Sequence, residues 1–159
     1  MRNIIIFNLL VYGLIAIGVK SYSAKGSKTI AEQDVPRSIR TAFQTAYPCA
    51  VVSNFIKTKK DGQQIYEIAF SLADKQMEVR YSVSGQLLKV EELISTDSLP
   101  GNIRMAIADH FEDSSIKNAR RVIKDNRLFY DVKLSGNAPG WEGDRALRFT
   151  DDARLLTKI

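Results

Sequence analysis

One cysteine, one histidine and one tryptophan stand in a chain of 159 residues. The single thiol, Cys49, cannot close a disulfide within the chain, although exported proteins commonly carry them. With one His and one Cys there is no pair of soft ligands at zinc spacing. A serine or cysteine nucleophile needs a base beside it, and His110 is the only imidazole. It falls at an apolar position of an amphipathic helix, which reads as a structural histidine. Cys49 reads in the same way, as a small filler between a helix and a strand. Gly-x-Ser-x-Gly and Gly-rich phosphate loops are both missing. Asp151-Asp152 lacks the alternating acids of a calcium loop and reads as a solvated turn. These gaps predict no enzyme, no metal and no cofactor. Paired carboxylates for glycoside hydrolysis are not excluded by counting.

Long apolar runs are also few. The one present, Ile4 to Val19, follows Met1-Arg2-Asn3 and leads into Ser21, Ser23 and Ala24. A basic start, an apolar stretch and small residues form the signal-peptide pattern. Its 16 residues fall short of the ~20 that span a bilayer comfortably, so an uncleaved anchor is the weaker alternative. Residues 1–23 are therefore expected to be removed after Ser23 or Ala24, leaving no transmembrane segment in a periplasmic or secreted protein. Their loss lowers the formal charge from +5 to +3 (21 basic against 18 acidic residues). The remaining basic residues form no long tract, Lys57, Lys59 and Lys60 being the densest group. Together with export, this argues against nucleic acid as partner.

An internal repeat organises the rest. Asp34-Val35-Pro36 corresponds to Ser98-Leu99-Pro100 at an offset of 64. At that offset Ile39, Ala42 and Phe43 correspond to Ile103, Ala106 and Ile107, and Tyr66-Glu67-Ile68 to Tyr130-Asp131-Val132. Further on the offset is 68, with Arg80-Tyr81 matching Arg148-Phe149 and Leu87-Leu88 matching Leu155-Leu156. The four extra residues fall near Gly136–Gly143 and predict a lengthened loop.

Each copy opens with a helix. Asp34 and Ser98 are N-cap types, and a proline follows where a missing N–H costs nothing. Val35, Ile39, Ala42, Phe43 and Ala46 then recur at helical spacing until Pro48 stops the run. Alternating strands come next, the first two joined by Asp61-Gly62. The expected fold is α+β, as two tandem units, each a helix packed on a three- to four-stranded antiparallel sheet. Their bounds are 34–95 and 96–159, after a linker at 24–33. The helix covers one sheet face and leaves the other wet. Glu67, Glu78, Arg80, Lys133 and Arg148 fall on the wet face as candidate binding residues. Trp141, in the lengthened loop, is either an interface anchor or a cap on the core.

Val-Pro at a helix start, Phe43 and Tyr47-Pro48, Lys60-Asp61-Gly62, Tyr66-Glu67-Ile68, Arg80-Tyr81 and Gly85-x-Leu87-Leu88 together resemble the PepSY-like, β-lactamase-inhibitor-like family of exported bacterial proteins. The resemblance runs from Val35 to Leu156 and departs at Ala153, which replaces the turn glycine. It implies tandem helix-on-sheet units, periplasmic or secreted residence and non-catalytic binding of an exported protein, with inhibition of a peptidase or another enzyme as one use. A second reading is a small-ligand or envelope-stress sensor, with an apolar concavity between the units lined by Phe55, Ile56 or Tyr130.

Overall fold

The computed structural model describes residues 26–138 and 141–158, so the signal-peptide expectation for 1–23 lies outside the described residues. The order is β1 (Lys28–Ile30), α1 (Arg37–Ala46), β2 (Val51–Lys60), β3 (Gln63–Leu72), β4 (Lys75–Ser82) and β5 (Leu87–Ile94), then α2 (Gly101–His110), β6 (Ser114–Lys124), β7 (Arg127–Ala138), β8 (Trp141–Thr150) and β9 (Leu155–Lys158). Short 3-10 turns at Glu32–Asp34 and Thr96–Ser98 precede the two helices. The nine strands among the described residues form one antiparallel sheet in chain order.

This corrects the expected fold class. The chain does not form two tandem units with separate three- to four-stranded sheets. Strands β5 and β6 pair through six consecutive positions, from Lys89↔Lys124 to Ile94↔Ala119. The physical reason is the edge: two separate sheets would leave the backbone groups of both strands unpaired, and one seam satisfies them together. Side-chain periodicity reports which face a residue occupies, and says nothing about what the strand edge meets.

Both helices lie on the same side of this sheet. Tyr66, Ile68, Phe70, Val79 and Tyr81 pack with Val35, Ile39 and Phe43 of the α1 segment. Ala119, Val132, Leu134, Leu147 and Phe149 pack with Leu99, Ile103 and Ile107 of the α2 segment. Register links the two sets across the seam, since Val79 pairs Val90, Val90 pairs Ile123, and Ala119 pairs Val132. Phe43, Tyr47 and Phe70 stack with ring centroids 4.8–5.4 Å apart, which anchors the end of α1.

Local geometry recurs at the offsets read from the sequence. Bulges fall at Val52/Asn54 and Ile116/Asn118, and again at Arg80/Tyr81 and Arg148/Phe149. Pro36 and Pro100 share nearly the same extended backbone (φ −51 and −52, ψ 140) as the helix caps. Asp34 and Ser98 instead end the 3-10 turns, two residues before the cap position. Ala153, the equivalent of Gly85, keeps the left-handed turn (φ 66) despite its side chain.

Two further expectations change. Strand β1 lies within the segment read as linker, too short at three residues to show periodicity. The expected loop at Gly136–Gly143 is mostly strand, since β7 and β8 remain paired out to Ala138↔Trp141. Its run of small residues hides the alternation. Gly136 is needed there, because a Cβ would stand 2.5 Å from the Asp113 carbonyl oxygen.

Candidate functional site: the open face of the sheet

Opposite the helices, alternate residues of β3 to β8 form a band of charge. Glu67 pairs across strands with Arg80, and Arg120 with Asp131, which in turn pairs with Arg148. Glu78 faces Glu91, and Arg80 faces Lys89, so like charges also oppose each other directly. Ion pairs offset that repulsion. Arg80 Nη2 lies 3.2 Å from Glu78, and its buried Nε stands 3.4 Å from Glu67 without hydrogen-bond geometry. Glu91 meets both Lys89 and Arg120, the latter at 2.8 Å. Arg148 donates two hydrogen bonds of 2.6 Å to the Asp131 carboxylate, a bidentate fork, and stands 5.7 Å from the centre of the Phe129 ring. Lys133 holds Asp144 at 2.6 Å.

The electrostatics of the acids differ. Burial pushes the Glu67 carboxyl up, Arg80 opposes it, and Glu78 and Glu91 add to the rise. Glu91 is buried too, which alone would raise it, but Lys89, Arg80 and Arg120 together hold it below the usual carboxylate range. The hydrogen bonds from Arg148 to Asp131 push that guanidinium up, so it stays charged throughout. Such a surface can hold polar groups of a partner against fixed charges.

Of the residues read from sequence, Glu67, Glu78 and Arg80 form one group, and Lys133 and Arg148 stand near each other on β7 and β8. Lys89, Glu91 and Arg120 join the two groups across the seam, and Asp131 and Asp144 complete the second. The sequence reading missed all five, although Lys89 and Glu91 alternate as the wet face of a strand should. Trp141 pairs with Ala138 at the far end of the β7–β8 hairpin, and its side chain lies outside the described residues.

The residues named for an apolar concavity do not share a face. Phe55 pairs with Ile68, and Tyr130 with Phe149, on the helix side; Ile56 pairs with Glu67 on the open side. Between the two cores, on the helix side, stands Glu92, 7% exposed, held by Lys75 at 3.0 Å and by Arg121. Among the described residues no cluster of three metal-ligating side chains occurs, and no helix is long and apolar enough to cross a membrane.

No protein-family model matches the chain, and no curated protein does. Solved structures do match. A protein assigned to the periplasm of Bacteroides eggerthii superposes with a TM-score of 0.66 at 17% identity, covering 79% of this chain and 88% of that one. A DUF2874 family protein from Bacteroides ovatus gives 0.64 at 20% identity, with coverages of 79% and 88%. This chain has the DUF2874 fold. A BLIP-like protein from Bacteroides fragilis shares it, with a TM-score of 0.61 at 16% identity over 78% of this chain and 85% of that one. At these identities the likeness carries the fold, and the chemistry rests on the residues described above.

Proposed function

We propose that the chain is a periplasmic, non-catalytic binding protein of PepSY-like type that lays its open sheet face against another exported protein, modulating or inhibiting an enzyme such as a peptidase. The observation that carries this reading is the charged band itself. It crosses six strands, about 24 Å at a spacing of ~4.8 Å, and no helix among the described residues covers it. Its charges are already paired and set on rigid strands, so a partner meets groups fixed before binding and little side-chain freedom is lost. The descriptions of the structural neighbours, one assigned to the periplasm and one BLIP-like, agree with this use. Proposed contacts are Glu67, Glu78, Arg80, Lys133 and Arg148, with Lys89 and Arg120 between them and Trp141 at the hairpin end. The sensor reading has no comparable support, since charge rather than an apolar wall stands between the cores.

Affinity capture from a periplasmic extract tests the proposal. The natural protein should recover a partner, Arg120→Glu should lose it, and Trp141→Ala should weaken recovery. Equal recovery by the Arg120→Glu protein would remove the open face from the reading.

A further inference from the structure

In the charged band of the open face Arg80, Lys89, Arg120, Lys133 and Arg148 each have a carboxylate partner; the basic residues around β1 do not. Lys28, Lys57, Lys59 and Lys60 on the first two strands and Arg37 and Arg40 on α1 make no ion pair among the described residues. Five are exposed, and half-buried Arg40 has a buried Nε without a hydrogen-bond partner. Lys28 even stands directly opposite Lys57.

The fold brings these residues to one corner of the sheet, Lys28, Lys57 and Lys59 on the helix side and Lys60 on the other. Alternate turns of an antiparallel meander lie at one end of the sheet, so the β2–β3 and β4–β5 turns share an end. Ser38 lies against Gly85 in the β4–β5 turn, which puts the start of α1 there as well. Two residues along a helix turn about 200°, so Arg40 lies across the helix from Ser38, on the flank toward β2. Val83 and Leu87, at the β4–β5 turn, are exposed apolar residues at the same end. Glu32, Asp34 and Asp61 are exposed nearby and pair with none of the six.

The second half of the chain supplies a control within the molecule. At the offset of 64, the six positions become Glu92, Gly101, Arg104, Arg121, Ile123 and Lys124. A formal +6 becomes +2 on the same backbone arrangement. Lysines on an edge strand also discourage strand pairing, but that role asks nothing of Arg37 and Arg40 on a helix.

We propose that this corner docks on an anionic phospholipid surface. The reach of the chain favours lipid over an acidic protein. Six residues, including Lys20 and Lys25, separate Val19 from Gly26 and reach at most about 24 Å. An apolar run held in a bilayer, as a signal sequence before cleavage or as an anchor, therefore keeps β1 within range of headgroups. Lysines at such a surface each add to binding, and exposed aliphatic residues beside them enter the headgroup layer. This inference stands apart from the open face and survives if that face has no partner.

Sedimentation with vesicles tests it, using protein purified from the periplasm of producing cells. Phosphatidylglycerol–phosphatidylcholine vesicles should bind it, with phosphatidylcholine vesicles as the baseline, and half-molar salt should release it. The triple change Lys57→Gln, Lys59→Gln, Lys60→Gln should weaken binding about a hundredfold. Changing Arg104, Lys124 and Arg127 to Gln should leave it within about threefold. If the triple variant melts early, Lys59→Gln alone should still cost about fivefold. Equal binding to neutral vesicles, or full binding by the triple variant, would overturn the proposal. So would capture by polyglutamate without vesicle binding, which would assign the corner to an acidic protein.

Discussion

Lys28 opposite Lys57 and Glu92 opposite Arg121 occupy equivalent places, 64 residues apart, in two strand pairs of the same register. One pair, β1–β2, is the edge of the sheet; the other, β5–β6, is the seam inside it. At the seam Glu91 and Glu92 point to opposite faces, and each meets an arginine of β6, Arg120 or Arg121. At the edge the corresponding residues, Ser27 and Lys28, supply no negative charge. A repeated backbone can therefore serve as a joint or as a boundary, and charge on two consecutive residues separates the uses. Like charges directly across strands disfavour pairing and opposite charges favour it.

The largest expected effect tests whether the seam makes one cooperative body. Ile39 and Ile103 are equivalent, fully buried residues under the two helices. Truncating either to Ala should cost about 3 kcal/mol, measured by urea unfolding of the exported protein. Because the sheet is continuous, each variant should lower a single transition followed by circular dichroism and by tyrosine fluorescence. Two separated transitions, each moved by only one of the variants, would show that the seam does not couple the halves.

A smaller effect compares Glu67 and Glu91, two acids on the open face whose surroundings act in opposite directions. The Glu91 carboxyl is held below its ordinary value of 4.5, so its ionised form stabilises the fold above that pH. This contribution disappears as pH falls through the lower folded value. Glu91→Gln should cost about 2 kcal/mol at pH 7, and the difference from the natural protein should vanish toward pH 3. The folded value of Glu67 is raised; its ionised form is disfavoured at neutral pH, and acidification relieves the strain. Glu67→Gln should be neutral or stabilising at pH 7. Two substitutions of the same sign at pH 7 would refute the assignment of charge partners.

These tests follow the line between what the sequence shows and what it conceals. Tyr66, Ile68 and Phe70 reveal their face by alternation, and Pro36, Pro48 and Pro100 punctuate the helices through their missing N–H groups. The seam leaves no such mark, because strands pair through backbone groups that every residue carries. Glu91 and Glu92 are consecutive acids, a pattern that suggests solvent, yet both are buried because each makes an ion pair with an arginine of β6, Glu92 with Arg121 directly opposite and Glu91 with Arg120 on the diagonal. On the open face, Arg80 and Arg148 were legible from alternation within one strand. Their partners were not, since cross-strand register depends on turns and on bulges such as Arg80/Tyr81. Ser135-Gly136-Asn137-Ala138 shows the opposite failure: small polar residues suggest a loop, while close approach to Asp113 demands glycine in a strand.

The smallest expected effect bears most directly on the edge. Lys28→Glu would recreate at β1–β2 the charge relation found at β5–β6, with an acid opposite Lys57 as Glu92 lies opposite Arg121. Cross-strand pairing of opposite charges at an exposed site contributes a few tenths of a kcal/mol, so stability should rise by about 0.5 kcal/mol at low salt and return to the natural level in half-molar salt. The same substitution removes two units of positive charge from the corner and should weaken vesicle binding, coupling a gain in fold stability to a loss of docking. If Lys28 merely guards the edge against strand pairing, a carboxylate in its place would guard it as well through its charge, and vesicle binding would not change. Measuring melting and sedimentation on one preparation separates these cases: stabilisation with weakened docking assigns the lysine to the lipid surface, while stabilisation alone assigns it to the edge.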